Sequence, residues 1–110
     1  MKLNELIKDL NFDNLTPELN LDKDVEGVYC GDLLSWVMGN GLPKQVWITV
    51  QGHMNIIAVA ELREFSCIII ADGAAIDDEV IAKAKEEDIV VLASNLPVFE
   101  TAKKLVEKGI

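Results

Sequence analysis

The sequence predicts an α/β fold: a single compact domain with a mostly parallel sheet and helices packed on its faces. One pattern occurs three times in the second half of the chain. Each time, a short apolar run is followed by a small polar turn and then by a helix-like stretch. The apolar runs cover residues 46–50, 67–71 and 89–93. Successive runs begin roughly 20 residues apart, a spacing that suits a strand followed by a crossover helix.

The length and composition also favour one α/β domain. The chain has 110 residues, of which 50% are hydrophobic and only 5% are aromatic. A chain of this length can bury a core large enough to fold without disulfides or metals. We therefore expect residues 1–110 to form one domain whose core consists mainly of Ile, Val, Leu and Ala side chains.

The first half of the chain has a less regular pattern. Its first apolar residues follow the i, i+3, i+4, i+7 spacing of an amphipathic helix. Asp32 follows a strand-like run and is placed to cap a short helix. We expect a helix over residues 2–10, a polar connector over 11–20, a strand over 25–30 and a helix over 33–38.

Three further helices are predicted after the three apolar runs. Residues 54–62 are apolar nearly all round, which is typical of a buried helix. Residues 77–87 begin with acidic side chains, which stabilise the first turn of a helix by interacting with its dipole. The last helix has Pro97 in its first turn and ends at Gly109.

The net charge limits the classes of partner. Acidic residues number 19 and basic residues 10, which gives a net charge of −9. No cluster of Lys or Arg offsets this charge, so the surface repels phosphate backbones. Nucleic acids and anionic membranes are therefore not expected as partners, whereas proteins or small ligands held by backbone groups are favoured.

The sequence also favours the cytoplasm. Its first residues lack the long apolar segment of an export signal, and no apolar run approaches the ~18 residues that a membrane span needs. Cys30 and Cys67 both lie in strand-like apolar runs. We expect both to be buried, reduced thiols.

Polar residues follow each predicted strand at its carboxyl end. In open α/β sheets ligands bind at this edge, where turns and helix N-termini meet. Each of these residues also has a structural interpretation as a helix cap, a turn or a strand residue, and for any single one that interpretation is favoured. The candidate ligand-binding residues are Asp32, Thr49, Gln51, His53, Asn55, Asp72, Gly73 and Ser94, with Asn95 beside them.

No pattern predicts catalysis, a metal site or a cofactor. His53 is the single histidine, and as a general base it would need an orienting carboxylate such as Asp32 or Asp72. One histidine and two widely separated cysteines do not resemble a zinc site, which takes about four ligands. The sequence has no G-x-x-x-x-G-K-[ST] phosphate loop and no G-x-S-x-G nucleophile turn.

Seven segments occur in an order and spacing that together cover almost the whole chain: residues 3–10, 21–27, 29–35, 47–56, 68–70, 97–100 and 107–110. In this order they resemble a DRTGG domain, the module similar to the N-terminal domain of HPr kinase/phosphorylase. Such modules occur beside CBS domains and in pyrophosphatases, phosphotransacetylases and kinase-related proteins, so the resemblance implies a regulatory role. It does not imply kinase activity, because the phosphate loop of HPr kinase belongs to a separate C-terminal domain.

Two positions depart from the residues that give this family its name. Asp22-Lys23 corresponds to the family's Asp-Arg, and Ala71-Asp72-Gly73 corresponds to its Thr-Gly-Gly. Lys23 keeps the positive charge of arginine but not its two-pronged geometry. Asp72 would oppose a phosphate group unless a cation or a helix end offsets its charge.

Three functional hypotheses follow from these observations. The first is a freestanding, homodimeric regulatory module that senses a small ligand, such as an adenine nucleotide or another phosphometabolite, at the carboxyl ends of the strands. The alternative is a protein–protein interaction subunit with no small-molecule ligand. Its contacts would include Trp36, Trp47 and Phe99, although core packing is favoured for each. A small enzyme that uses His53 ranks third, because no activated nucleophile is visible.

Overall fold

The computed structural model describes all of residues 1–110 and contains a five-stranded sheet with helices on both faces. This confirms the predicted α/β fold class. The strands are β1 (Asp13–Asn14), β2 (Gly27–Cys30), β3 (Gln45–Thr49), β4 (Cys67–Ile70) and β5 (Val91–Ala93). The helices are α1 (Leu3–Leu6), α2 (Leu34–Asn40), α3 (Asn55–Arg63), α4 (Asp78–Glu86) and α5 (Val98–Glu107).

Four of the five strands are parallel, and the sheet order is β1-β5-β4-β3-β2. The helices α2, α3 and α4 connect each of these strands to the next. Because parallel strands end on the same side, the turns after β2, β3, β4 and β5 emerge together. We call this side the carboxyl edge; it consists of residues 31–33, 50–54, 71–77 and 94–97.

The first strand is absent from the sequence-based prediction, which places a polar connector there. Asp13 and Asn14 pair antiparallel with Ala93 and Leu92 of β5. The buried hydroxyl of Thr16 fastens this segment, because its Oγ1 accepts a hydrogen bond from the N–H group of Val91 at 3.1 Å. A polar strand of two residues has no alternation of side chains that a sequence could reveal.

Helices cover the sheet on both faces, so its central strands are buried on both sides. On one face α2, α3 and α4 pack around Trp47 and Ile68. On the other face α1 and α5 pack around Ile48 and Ile69. Successive residues of a strand thus belong to opposite cores. None of the helices has the length and apolar character needed to cross a bilayer.

Two helices differ from their predicted bounds. The first helix, α1, ends at Leu6 rather than near residue 10, and the chain turns at Asp9, whose φ is 65°. The second, α2, begins at Leu34, with Leu33 and not Asp32 as its N-cap residue. Asp32 does not cap the helix, because its carboxylate is hydrogen-bonded to the end of β3.

Both thiols are free, but only one of them is buried. Cys67 lies in the central strand β4, and burial raises the pKa of its thiol to about 12. Cys30 ends β2 and is exposed, so the expectation that it is buried is wrong. The reason is that β2 is an edge strand with β3 as its one neighbour.

The large aromatic side chains divide between core and surface. Trp47 is buried; its indole Nε1 donates to the carbonyl oxygen of Gly31 at 2.9 Å, and its ring packs against Phe65. Trp36 and Phe99 are 65% and 72% exposed. Core packing is therefore the wrong expectation for these two residues, which lie in the first turns of α2 and α5.

Candidate functional site

Asp32 joins the end of β2 to the end of β3. Its Oδ1 accepts hydrogen bonds from the Thr49 hydroxyl at 2.8 Å and from the N–H group of Val50 at 2.9 Å. The side-chain amide of Gln51 donates from Nε2 to the carbonyl oxygen of Asp32 at 3.2 Å. Three of the predicted site residues therefore belong to one hydrogen-bonded cluster at the carboxyl edge.

A second cluster joins the ends of β4 and β5. The N–H group of Asp72 donates to the carbonyl oxygen of Leu96 at 2.7 Å, and that of Gly73 donates to the carbonyl oxygen of Ser94 at 3.0 Å. Asp72 and Gly73 have φ values of 64° and 62°, a region that glycine adopts freely and aspartate tolerates better than most residues. The hydroxyls of Ser94 and Thr101 lie 2.9 Å apart, which fixes the start of α5.

The loop after β3 also lies against the loop after β4. A Cβ atom on Gly52 would lie only 2.1 Å from the carbonyl oxygen of Ala75, so this contact requires glycine. His53 follows in the first of these loops and Asn55 begins α3; both residues are exposed. The N–H group of Asn55 donates to Nδ1 of His53 at 3.2 Å. No carboxylate forms a hydrogen bond or ion pair with His53, and no three His, Cys, Asp or Glu side chains are grouped as metal ligands.

The predicted site residues differ in what they present to solvent. Thr49 and Ser94 are buried, and their hydroxyls take part in hydrogen bonds within the protein. They hold the loops of the carboxyl edge in place. The remaining residues are accessible to a ligand: Asp32, His53, Asn55, Asp72 and Gly73 are exposed, and Gln51 is half-buried.

The centre of the carboxyl edge is acidic. Asp32 and Asp72 are exposed there, and the first turn of α4 adds Asp78 and Glu79. The four segments that form the edge contain no Lys or Arg. Because like charges repel, an anionic group of a ligand would bind here only where a cation from a neighbouring element or the N-terminus of a helix offsets these carboxylates.

A pocket of about 310 Å³ lies beside this edge, next to β5. It is lined by residues 9–12, by Asn95 and Leu96, and by Lys104 of α5. The pocket exists because β1 is antiparallel to β5, so that the residues before Asp13 lie beside those that follow Ala93. Of these residues, the sequence predicts only Asn95 as a candidate site residue, because its pattern does not predict β1.

The two segments that correspond to the name of the DRTGG family lie at opposite ends of the strands: Asp22-Lys23 at the amino ends, and Ala71-Asp72-Gly73 at the carboxyl ends. Nζ of Lys23 pairs with Oδ2 of Asp88 at 3.3 Å, near the start of β5. Asp72 follows the other end of β4. A strand of this length separates the two segments by roughly 13 Å, so one small chemical group cannot contact both. A second pocket, of about 460 Å³, lies on the Lys23 side of the sheet between Glu26 and Gln45.

No protein-family model and no curated protein matches the sequence. A solved structure is similar to it: the CBS and DRTGG domains of the regulatory region of Clostridium perfringens pyrophosphatase, in complex with the activator diadenosine tetraphosphate. The TM-score is 0.71 at 16% sequence identity. The match covers 97% of this chain and 46% of that one, so this chain spans less than half the length of its structural neighbour. At the level of fold, this likeness confirms the resemblance to a DRTGG-type domain.

Proposed function

We propose that this chain is a regulatory module without catalytic activity that senses a small ligand, such as an adenine nucleotide, at the carboxyl edge of its sheet. The observation that carries this proposal is the likeness in fold, over 97% of the chain, to a regulatory region crystallised with a nucleotide activator. That similar structure is the regulatory region of its enzyme and not the catalytic region. The open α/β architecture adds a general reason, since ligands of such sheets bind where the parallel strands end.

The geometry of the carboxyl edge supports the same proposal. Hydrogen bonds tie the turn after β2 to the end of β3, and the turn after β4 to the turn after β5. The Gly52–Ala75 contact brings the two pairs together. A ligand that contacts exposed side chains from both pairs would stabilise the folded state. The contacts that we propose are Asp32, Gln51, His53, Asn55, Asp72 and Gly73, with Thr49 and Ser94 holding the loops.

A thermal unfolding series tests this proposal. The melting temperature is measured with AMP, ADP, ATP and diadenosine tetraphosphate up to millimolar concentration. A ligand at 100 times its Kd stabilises the folded state by about 2.7 kcal/mol. For a domain of this size we expect the melting temperature to rise by about 10 °C with at least one nucleotide at that concentration.

Salt and inorganic phosphate at matched ionic strength are the controls, because any added cation screens a chain of net charge −9. A rise that the controls reproduce does not count as nucleotide binding. If no nucleotide raises the melting temperature beyond these controls, the sensing proposal is wrong.

Exposed aromatic residues favour a second candidate function, a protein–protein interaction subunit. Trp36 and Phe99 are exposed, and Leu33 beside Trp36 is 66% exposed. Large apolar side chains at the surface of a small domain are typical of interaction sites, where Trp contributes strongly to binding. These side chains lie in or next to the carboxyl edge, so a protein partner would cover the same side of the molecule.

Substitution of these side chains separates the two candidates. We expect Trp36→Ser and Phe99→Ser to abolish capture of a native partner, whereas Leu62→Ser, at an exposed apolar position of α3, leaves it intact. Capture that persists in both variants, or that requires an added nucleotide, contradicts a ligand-independent interaction subunit.

A further inference from the structure

The pocket beside β5 is fixed from several directions. The Leu96 carbonyl accepts the hydrogen bond from Asp72, which holds the turn after β5. Nζ of Lys108 donates to the carbonyl oxygen of Lys8 at 2.7 Å, which holds the end of α5 against the segment that precedes Asp9. Hydrogen bonds of the folded protein therefore hold the walls of the pocket, and a ligand would enter a cavity that is already formed.

The lysines without an acidic partner are concentrated around this pocket. Lys2, Lys23, Lys44, Lys83 and Lys85 each pair with an Asp or Glu side chain. The lysines that form no such pair are Lys8, Lys103, Lys104 and Lys108, and all of them lie in α5, at its end or next to residues 9–12. Arg63 of α3 also forms no ion pair. In a chain of net charge −9, the unpaired lysines therefore belong to α5 and to the segment beside residues 9–12, and of these Lys104 lines the pocket.

Lys104 lines the pocket itself, and Lys108 lies one helical turn further along the same face of α5. The acidic centre of the carboxyl edge repels an anion, whereas this margin of the same edge attracts one. The acidic residue that lines the pocket is Asp9. An anionic group is therefore expected at the Lys104 side of the cavity, away from the Asp9 carboxylate.

The remaining lining suits the other parts of a nucleotide. Leu10, Phe12 and Leu96 provide an apolar and partly aromatic surface for a base. Asn11 and Asn95 each offer an amide donor and an acceptor for the polar edge of that base. The carboxylate of Asp9 is an acceptor for ribose hydroxyls, a role that acidic residues have in nucleotide sites.

Resting on the sensing function proposed above, we infer that the nucleotide binds in this pocket beside the carboxyl edge, in place of the contacts at the acidic centre of that edge. The pocket takes a nucleoside monophosphate, with Lys104 bound to the phosphate. The volume of about 310 Å³ is at the lower end for ligand sites. It accommodates one nucleoside unit and does not enclose a dinucleoside polyphosphate. A longer nucleotide would place one nucleoside in the cavity and leave the rest outside.

Titration of the isotopically labelled protein with AMP, followed by NMR, tests this inference. We expect AMP to shift the amide signals of residues 9–12, 95 and 96, and we expect adenosine and inorganic phosphate each to bind more weakly than AMP. Lys104→Met should weaken AMP binding about tenfold or more, because a charge-assisted hydrogen bond is lost. The matched control is Lys103→Met, an adjacent exposed lysine that does not line the pocket, and its affinity should stay within about twofold.

Two other outcomes overturn the inference and are distinguishable from each other. If AMP binds with the same affinity to Lys104→Met, or shifts the signals of Asp32, Gln51 and His53 instead, the pocket assignment is wrong and the sensing function stands. If AMP and every other nucleotide fail to bind, the proposed function fails, and the pocket assignment fails with it.

Discussion

At the scale of single residues, the carboxylate of Asp32 is the main link between two loops. Its Oδ1 atom accepts hydrogen bonds from both the Thr49 hydroxyl and the N–H group of Val50. Hydrogen bonds to a charged acceptor are stronger than those between neutral groups. The position of the turn after β3 therefore depends on a side chain that belongs to the turn after β2.

Replacement of Asp32 by Ala should lower the free energy of unfolding by about 1–3 kcal/mol, because two donors lose a charged acceptor. Chemical denaturation measures the loss. The control is Asp77→Ala, which removes a carboxylate at the start of α4 that accepts no capping hydrogen bond. Equal effects of the two substitutions would contradict the linking role of Asp32.

The sequence predicts that Asp32 lies at the carboxyl edge and that its side chain caps the N-terminus of α2. The position of Asp32 at the carboxyl edge is predictable, because a strand ends just before it. The expectation that Asp32 caps α2 is wrong, because the start of a helix and the end of a neighbouring strand compete for the same carboxylate. Only the three-dimensional pairing of β2 with β3 decides between them.

Gly52 makes a close backbone contact with Ala75 that a side chain at position 52 would prevent. Gly52→Ala should destabilise the fold by about 1–3 kcal/mol, because the added Cβ overlaps the carbonyl oxygen of Ala75 and the two loops must separate. Gly39→Ala is the matched control; a Cβ there meets no atom within 4 Å, and alanine should stabilise α2 by about 0.5–1 kcal/mol. Thermal unfolding of both variants checks the opposite signs.

At the scale of elements, the parallel strands and their helices were predictable and β1 was not. The bounds of β3 and β4 lie within one residue of those predicted, because continuous apolar runs distinguish buried parallel strands. The strand β5 is shorter than its apolar run, since Ile89 and Val90 are buried but precede the paired residues. The strand β1 depends on pairing with β5 and leaves no pattern in its own two residues.

Thr16 should be essential for the position of β1. Thr16→Val keeps the shape of the side chain but leaves the buried N–H group of Val91 without its acceptor, at a cost of about 1–3 kcal/mol. Hydrogen exchange at residues 9–16 should accelerate in this variant. Thr16→Ser retains the hydroxyl and should keep most of the protection; loss of protection in both variants would mean that packing of the methyl group, and not the hydrogen bond, holds β1.

At the scale of the whole molecule, the sequence predicted which turns meet but not where a cavity lies. The turns after β2–β5 meet because parallel strands share one carboxyl edge, and this rule needs no coordinates. The pocket depends on the antiparallel β1 and on the distance between α5 and residues 9–12, which follow only from packing. Exposure of Trp36 and Phe99 was likewise unpredictable, since large aromatic side chains are usually buried.

We propose that the chain forms a homodimer, because the large apolar side chains of Leu33 and Trp36 are exposed at the start of α2. Sedimentation equilibrium should give twice the chain mass of 12.1 kDa at micromolar concentration. Trp36→Ser should shift the molecule toward the monomer, because an exposed apolar anchor is lost. A wild-type chain that sediments as a monomer throughout this range contradicts the dimer.

The antiparallel strand β1 also determines on which side the sheet can grow. It covers β5, and with only two residues it offers a very short template for a further strand. The backbone of β2 has no neighbour on its outer side. Another molecule can therefore add at one side of the sheet alone, and two copies joined there leave no equivalent side from which a fibre could continue.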